Sequence, residues 1–318
     1  MGQLPMIGIV SLAAPVSICV ALLVDVRFGE PPASWHPVVW IGRLLDRVGQ
    51  RLPDLHPVAA FLSGMGAWVI VGSLFVSSAW LVERGVESLW APTPTWVRVV
   101  GVAVFNGILL KPLFAWRMLC EEVAAVEPAL EIGVGAGRAH IARIAGRDPA
   151  RLTPVEVRET AIESLAENLN DSVVAPLLWF AVAGLPGAAL YRFANTADAM
   201  WGTRGRWEWA GKWAARADDV LSWLPARITA LALALPSLWT AVPREARRTA
   251  SPNSGWPMGA MALRLGVHLG RPGFYILNKP GRAATPHDTA RAIRIARQSL
   301  AWLLVPICAL ALAVRNGA

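Results

Sequence analysis

Apolar residues along this chain gather into long uncharged runs instead of recurring at the three- and four-residue spacing of a half-buried helix. Six runs stand out, at 1–24, 57–82, 99–110 with its apolar flanks, 172–191, 228–243 and 298–314. A membrane-spanning helix needs about 20 apolar residues, and the runs meet that need unequally. The run at 57–82 holds no charged residue and is closed by Asp54 on one side and by Glu83 and Arg84 on the other, so it reads as a full span. The first run carries no Lys or Arg before Arg27. It therefore lacks the positive start of a cleavable signal and reads as a retained helix, with Pro15 as a kinking point. Pro176, Gly184, Pro186 and Gly187 interrupt 172–191, and 228–243 is short; both read as re-entrant or embedded segments.

Composition agrees with this pattern. Of 318 residues, 55% are hydrophobic and only 16% charged, a balance foreign to soluble domains. The expected fold class is all-α: a polytopic integral membrane protein with about four to six embedded helices and helical polar loops. It forms one membrane domain over 1–318 with a polar helical insertion at about 116–171. The formal charge of +8 is concentrated between 244 and 297, where ten Lys and Arg face only Glu245 and Asp288. The positive-inside rule puts that segment in the cytoplasm and the chain in the cell's inner or cytoplasmic membrane. These arginines are dispersed among Gly, Pro and apolar positions with no binding motif, which argues against nucleic acid as a partner. Cys19, Cys120 and Cys308 are far apart with no metal-ligand spacing and read as packing residues.

The segment PVEVRETAIESLAENLND, 154–171, is the clearest helix among the polar stretches, with Thr153 as N-cap and Pro154 in the first turn. Glu159, Glu163, Glu167 and Asp171 recur every four residues, on one slowly drifting face beside Asn168. Like charges at that spacing repel. A divalent cation or a cationic substrate over the row would relieve the repulsion; the alternative is a solvated acidic face.

A second polar cluster combines Asn195 and Asp198 with Asp218 and Asp219, among Arg192, Arg204, Arg216 and Arg227. Such acids can hold metal, and such arginines phosphate or carboxylate. Trp201, Trp207, Trp209, Trp213 and Trp223 in the same stretch read as markers of a membrane interface. A third cluster, SPNSGWPMGAMA from Ser251, is a turn before a helix whose backbone N–H groups can cradle an anion. His36, in a proline-stiffened loop with Asp25, Arg27 and Glu30, reads as structural. Neither the Gly205 to Lys212 stretch nor GVGAGR at 133–138 has the spacing or context of a nucleotide-binding loop.

Five segments together, VDVRFGEPPASWHPVVWIGRLLD, ETAIESLAENLNDSVVAPLLWF, GLPGAALYRFANTADAMWG, ADDVLSWLPARITAL and SPNSGWPMGAMALRLGVHLG, resemble the CobD/CbiB cobalamin biosynthesis proteins in kind and in order. The resemblance implies an integral membrane ligase, adenosylcobinamide-phosphate synthase. Such an enzyme joins (R)-1-amino-2-propanol or its O-phosphate to a carboxylate of adenosylcobyric acid at the expense of ATP. A carboxylate is a poor acyl donor and requires activation, which implies ATP with Mg²⁺. On that reading Glu163, Glu167 and Asp171 hold the metal, and Arg158 or Arg192 the phosphates, with Asn168 and Asn195 as further substrate contacts. Asp198 or the Asp218 and Asp219 pair takes the proton of the attacking amine. Ser251, Asn253, Arg247 and Arg248 receive a phosphate on that amine. The expected partners are these two substrates, the lipid bilayer and other late cobalamin-assembly enzymes. Two readings from other classes are a non-enzymatic membrane sensor and a corrinoid transporter on the same scaffold. A transporter would place its polar residues inside the long helices, whereas here the acids lie largely between the runs. A CDP-alcohol phosphotransferase is disfavoured because its DG-x-x-AR core is absent around Asp198 and Asp218.

Overall fold

A computed structural model describes residues 12–145, 149–271 and 273–317. In chain order the helices are α1 (Ala13–Phe28), α2 (Pro37–Gly49), α3 (Pro57–Trp90), α4 (Thr95–Leu110), α5 (Trp116–Ala124), α6 (Val126–Ile132), α7 (Val134–Ile141), α8 (Pro154–Leu169), α9 (Ala175–Trp201), α10 (Lys212–Leu221), α11 (Trp223–Leu233), α12 (Val242–Ala246), α13 (Gly255–Leu265) and α14 (Pro286–Gly317). Between α13 and α14 lies a two-stranded antiparallel ribbon, β1 (Leu269–Arg271) and β2 (Tyr275–Leu277), with Arg271 opposite Tyr275.

Four helical stretches are long and apolar enough to cross a membrane: Pro57–Trp90, Thr95–Ile132, Pro154–Trp201 and Pro286–Val314. The protein is an all-α polytopic membrane protein. Along α3, Leu62, Ile70, Leu74 and Leu81 are exposed. Such a surface is adverse in water and natural where hydrocarbon is the solvent. The expected interruption of 172–191 is present, as a kink at which two helical segments meet inside Ala175–Trp201. Ala183 and Gly184 leave helical geometry, Gly184 with φ 66°, and Pro186 follows inside the helix. The 228–243 run is no span. Helix α11 ends at Leu233, and a 3₁₀ turn follows at Pro236–Leu238. Of the first run, residues 1–11 lie outside the described residues. Pro15 causes no kink, since it is the third residue of α1, where its missing N–H has no intrahelical partner to lose.

The chain divides into two units, each built from separate stretches. The first comprises Met1–Ala115, Ala175–Leu221 and Val305–Ala318, and the second Trp116–Val174 and Ser222–Leu304. The polar insertion expected at about 116–171 is thus part of a larger unit. In the first unit α1 packs on α4, and α9 packs on α2, α3 and α10. Its core includes Leu45, Val71, Phe193 and Trp201. Trp201 is 1% exposed and stacks on Trp207 at 5.8 Å. That corrects the interface reading for Trp201, whose ring fills the core, while Trp209, Trp213 and Trp223 are exposed.

In the second unit α8 packs against α5, α6, α7, α13 and β1. Thr153 and Glu156 close a complete capping box at its start, satisfying two of the orphan amides there. Because neighbours surround it, α8 buries Val157, Ile162 and Leu165 together with Glu159 and Glu163. Past Leu169 the winding loosens into a π-helical turn, Asn170–Val174.

Candidate functional site

The acidic row of α8 is not a solvated face. Glu159 and Glu163 are each 4% exposed, and each has a different setting. Glu159 faces His268, Oε1 to Nε2 at 3.0 Å, while Nδ1 of His268 lies 2.9 Å from the Gly281 carbonyl. One and two turns on, Glu163 and Glu167 line a cavity of about 330 Å³. Thr160 and Ser164 add hydroxyls to the same helical wall. Asp171 is not among the lining residues. It lies in the π-helical turn and accepts a hydrogen bond from Asn170 at 2.7 Å, because the looser winding rotates it off the row. Asn168 bonds back to the Ser164 carbonyl at 3.0 Å and receives the Ser172 hydroxyl. Among the described residues no three His, Cys, Asp or Glu side chains gather closely enough to hold a metal unaided.

The rest of the cavity comes from the turn before α13 and from the ribbon. Thr249, Ser251 and Ser254 contribute hydroxyls from the turn, Met258 an apolar surface from α13, and Arg271 and Tyr275 the facing pair of the ribbon. The turn is tight. A Cβ on Gly255 would collide with the Ala246 carbonyl and with Oγ1 of Thr249. The expected amide cradle is altered, because the N–H groups of Asn253 and Ser254 both donate to Oγ of Ser251 at 3.2 Å. Asn253 is buried, and its carboxamide oxygen takes a 2.8 Å hydrogen bond from Arg227. Arg227 also donates to the carbonyls of Trp223 and Pro252, and its guanidinium is sandwiched between the rings of Trp223 and Trp256 at 4.4 and 4.7 Å. Asn253 and Arg227 therefore brace the turn instead of lining the cavity.

Three expected phosphate ligands are placed elsewhere. Arg158 forms an internal ion pair with Glu127 at 2.9 Å, which Thr289 reinforces from α14. Arg247 and Arg248 are exposed, and Arg248 pairs with Glu245 at 3.0 Å. Neither lines the cavity. The cation that does, Arg271, was missed by sequence reasoning, since it is one of ten in a basic stretch. Only its position beside Tyr275 on the ribbon distinguishes it.

In the first unit the remaining candidates do gather. Asn195 on α9 donates to Asp218 on α10 at 3.4 Å, and Asp198 is close enough to Asp219 for their charges to repel. Burial raises the carboxyl of Asp219 above its ordinary range, against the pull of Arg216. Arg192 lies on α9, one turn before Thr196, whose hydroxyl caps its carbonyl. The same unit holds a buried charge network around Lys111, which meets Asp25 at 2.9 Å and Glu30 at 2.7 Å; Glu30 in turn meets His36 at 3.1 Å. His36 also caps α2 by accepting the Val38 amide, so the loop histidine is structural, as its sequence context suggests.

Comparison with known proteins gives these positions a common context. The family model described as CobD/Cbib protein matches residues 18–301, which include both clusters. The chain belongs to this family. A probable cobalamin biosynthesis protein CobD of Thermococcus kodakarensis is 39% identical, with 92% of each chain covered. The CobD proteins of Rhodobacter capsulatus and Dehalococcoides mccartyi are 38% and 31% identical, covering 91% and 90% of this chain and 94% of their own. No solved structure matches the fold. Family membership covers the α8 row, the α9–α10 acids and the turn before α13 in one contiguous match.

Proposed function

We propose that this membrane protein serves cobalamin biosynthesis as an ATP-dependent ligase. It joins an aminopropanol-type amine, free or as its O-phosphate, to a carboxylate of adenosylcobyric acid and yields adenosylcobinamide or its phosphate. In the first step the carboxylate oxygen attacks the γ-phosphorus of ATP, ADP leaves, and an acyl phosphate forms. In the second the amine nitrogen attacks the acyl carbon, inorganic phosphate departs, and the amine loses its extra proton to a base.

The observation that carries the reading is the cavity of the second unit, where Glu163, Glu167 and Arg271 converge with several hydroxyls on a small space. This composition suits phosphoryl chemistry, in which positioning and charge neutralisation dominate. A magnesium ion fits Glu163 and Glu167, because it commonly takes one or two protein carboxylates and completes its shell with water and phosphate oxygens. When bound it would neutralise charge on the nucleotide phosphates. Asp198, Asp218 and Asp219 remain the candidate bases, and Asp→Asn variants at each separate that role from packing. A cavity lined by two carboxylates, a guanidinium and several hydroxyls suits chemistry on a phosphorylated ligand better than a sensor or a transporter.

The test is a mass-spectrometric assay of detergent-purified protein with adenosylcobyric acid, Mg²⁺-ATP and aminopropanol phosphate, beside Glu163→Ala. Product from the wild type alone supports both the ligase and the α8 site. Product from both retains the ligase and removes Glu163 from its centre. No product from a folded wild type favours the sensor or transporter.

A further inference from the structure

We propose that Arg271, with the hydroxyls of Ser251 and Ser254, forms a phosphate-binding wall of the cavity that α8 lines with Glu163 and Glu167. The inference assigns a ligand class to the cavity. It draws its substrates from the ligase reading but is testable without it.

The argument starts from size. At about 330 Å³ the cavity is at the small end of ligand sites. It suits a phosphate ester or the phosphate tail of a nucleotide, and a corrin ring with its side chains does not fit. Its chemistry is divided between the two walls. Helix α8 brings carboxylates, which repel phosphate unless a cation intervenes, whereas the turn brings the hydroxyls of Ser251 and Ser254, Thr249 donating its own to the Ala246 and Ser251 carbonyls, and the ribbon brings one guanidinium. The guanidinium of Arg271 stacks on Phe274 at 4.4 Å, which covers one face and leaves its N–H edge to make in-plane hydrogen bonds. Among the described residues no carboxylate forms an ion pair with Arg271. By contrast, Arg158, Arg248 and Arg282 of the same unit each have one, in Glu127, Glu245 and Asp288. The anion for Arg271 is therefore supplied by what enters the cavity.

The wall is also held in shape before any ligand arrives. Ser251 ties the amides of Asn253 and Ser254, Arg227 clamps Asn253 and Pro252, and antiparallel pairing fixes Arg271 against Tyr275. Such preorganisation is what a phosphate site needs, since donors already aimed lose little freedom on binding.

Two phosphate sources share this chemistry, the nucleotide and the phosphorylated amine. The experiment uses full-length protein in detergent micelles, as wild type, Arg271→Gln, Arg271→Lys and the exposed control Arg244→Gln. Binding of inorganic pyrophosphate with Mg²⁺ is measured by calorimetry, and KM is measured separately for ATP, aminopropanol phosphate and unphosphorylated aminopropanol. The expected result is a loss of roughly tenfold or more in pyrophosphate affinity for Arg271→Gln, partial recovery in Arg271→Lys, and no change in Arg244→Gln. A matching rise in KM for ATP alone identifies the nucleotide. A rise for aminopropanol phosphate, with free aminopropanol unaffected, identifies the amine. If Arg271→Gln binds pyrophosphate as the wild type does and no KM moves by more than about twofold, the proposal fails while the ligase reading stands. If pyrophosphate binding depends on Arg271 in a protein with no ligase activity, the phosphate wall stands and the ligase reading fails.

Discussion

Burying a carboxylate is costly unless cations or hydrogen bonds compensate, so Glu159 and Glu163 at 4% exposure demand a reason. For Glu159 that reason is His268. Glu163, and Glu167 one turn on, line the cavity in which we place the ligand. Glu163→Gln and Glu167→Gln should each lower kcat/KM by about 100-fold or more with little change in melting temperature. Asp171→Asn, off the cavity, should cost less than about tenfold. Rates of ADP release and thermal unfolding in detergent check the three together. Arg227 is a different kind of residue, a brace. Arg227→Met removes three hydrogen bonds and two cation–π contacts and should destabilise the protein by about 2–3 kcal/mol. Arg227→Lys should recover only part of this, since an ammonium lacks the planar fork. Thermal melts of both variants test the point.

At the scale of elements, the approach of the turn before α13 to α12 is set by Gly255, where no side chain fits beneath Ala246 and Thr249. Gly255→Ala should displace the turn, lowering the melting temperature and raising KM for the phosphorylated substrate together, measured on one preparation. The Lys111 network joins α1, the loop before α2 and the end of α4. Burial alone would raise the Glu30 carboxyl, but hydrogen bonds from His36 and Lys111 bring it below its ordinary value of 4.5. The folded state thus binds that proton less readily than the unfolded chain. Its stabilisation is complete above pH 4.5 and is lost as the pH falls from there through the folded value. Melting temperature should therefore decline on the acid side, and Glu30→Gln should flatten that decline while lowering stability at neutral pH. The helix at 154–169 was legible down to its capping box, because caps and first-turn preferences are local. The π-helical turn after it was not, since it follows from packing around Asn170, whose carboxamide receives the hydroxyl of Thr229 on α11.

For the molecule as a whole, four spans by length and composition predict that alkaline carbonate extraction leaves the chain in the membrane pellet, which immunoblotting of pellet and supernatant checks. The membrane class was readable because lipid imposes a long apolar run whatever the neighbours are. So was the family, since the acids of α8 and α9 and the Ser251 turn lie in segments whose order marks it. What sequence could not decide was which charged groups meet. Arg158, Arg247 and Arg248 are equivalent to Arg271 as letters. Packing turns the first to Glu127, leaves Arg247 in solvent and Arg248 on its near neighbour Glu245, and brings Arg271 to a cavity with Glu163. The sequence alone determined the all-α membrane class and the family, because long apolar runs and ordered local motifs depend on local transfer free energies and spacing. Tertiary structure decided which ions are structural and which face a cavity, because pairing depends on distances between residues far apart in the chain.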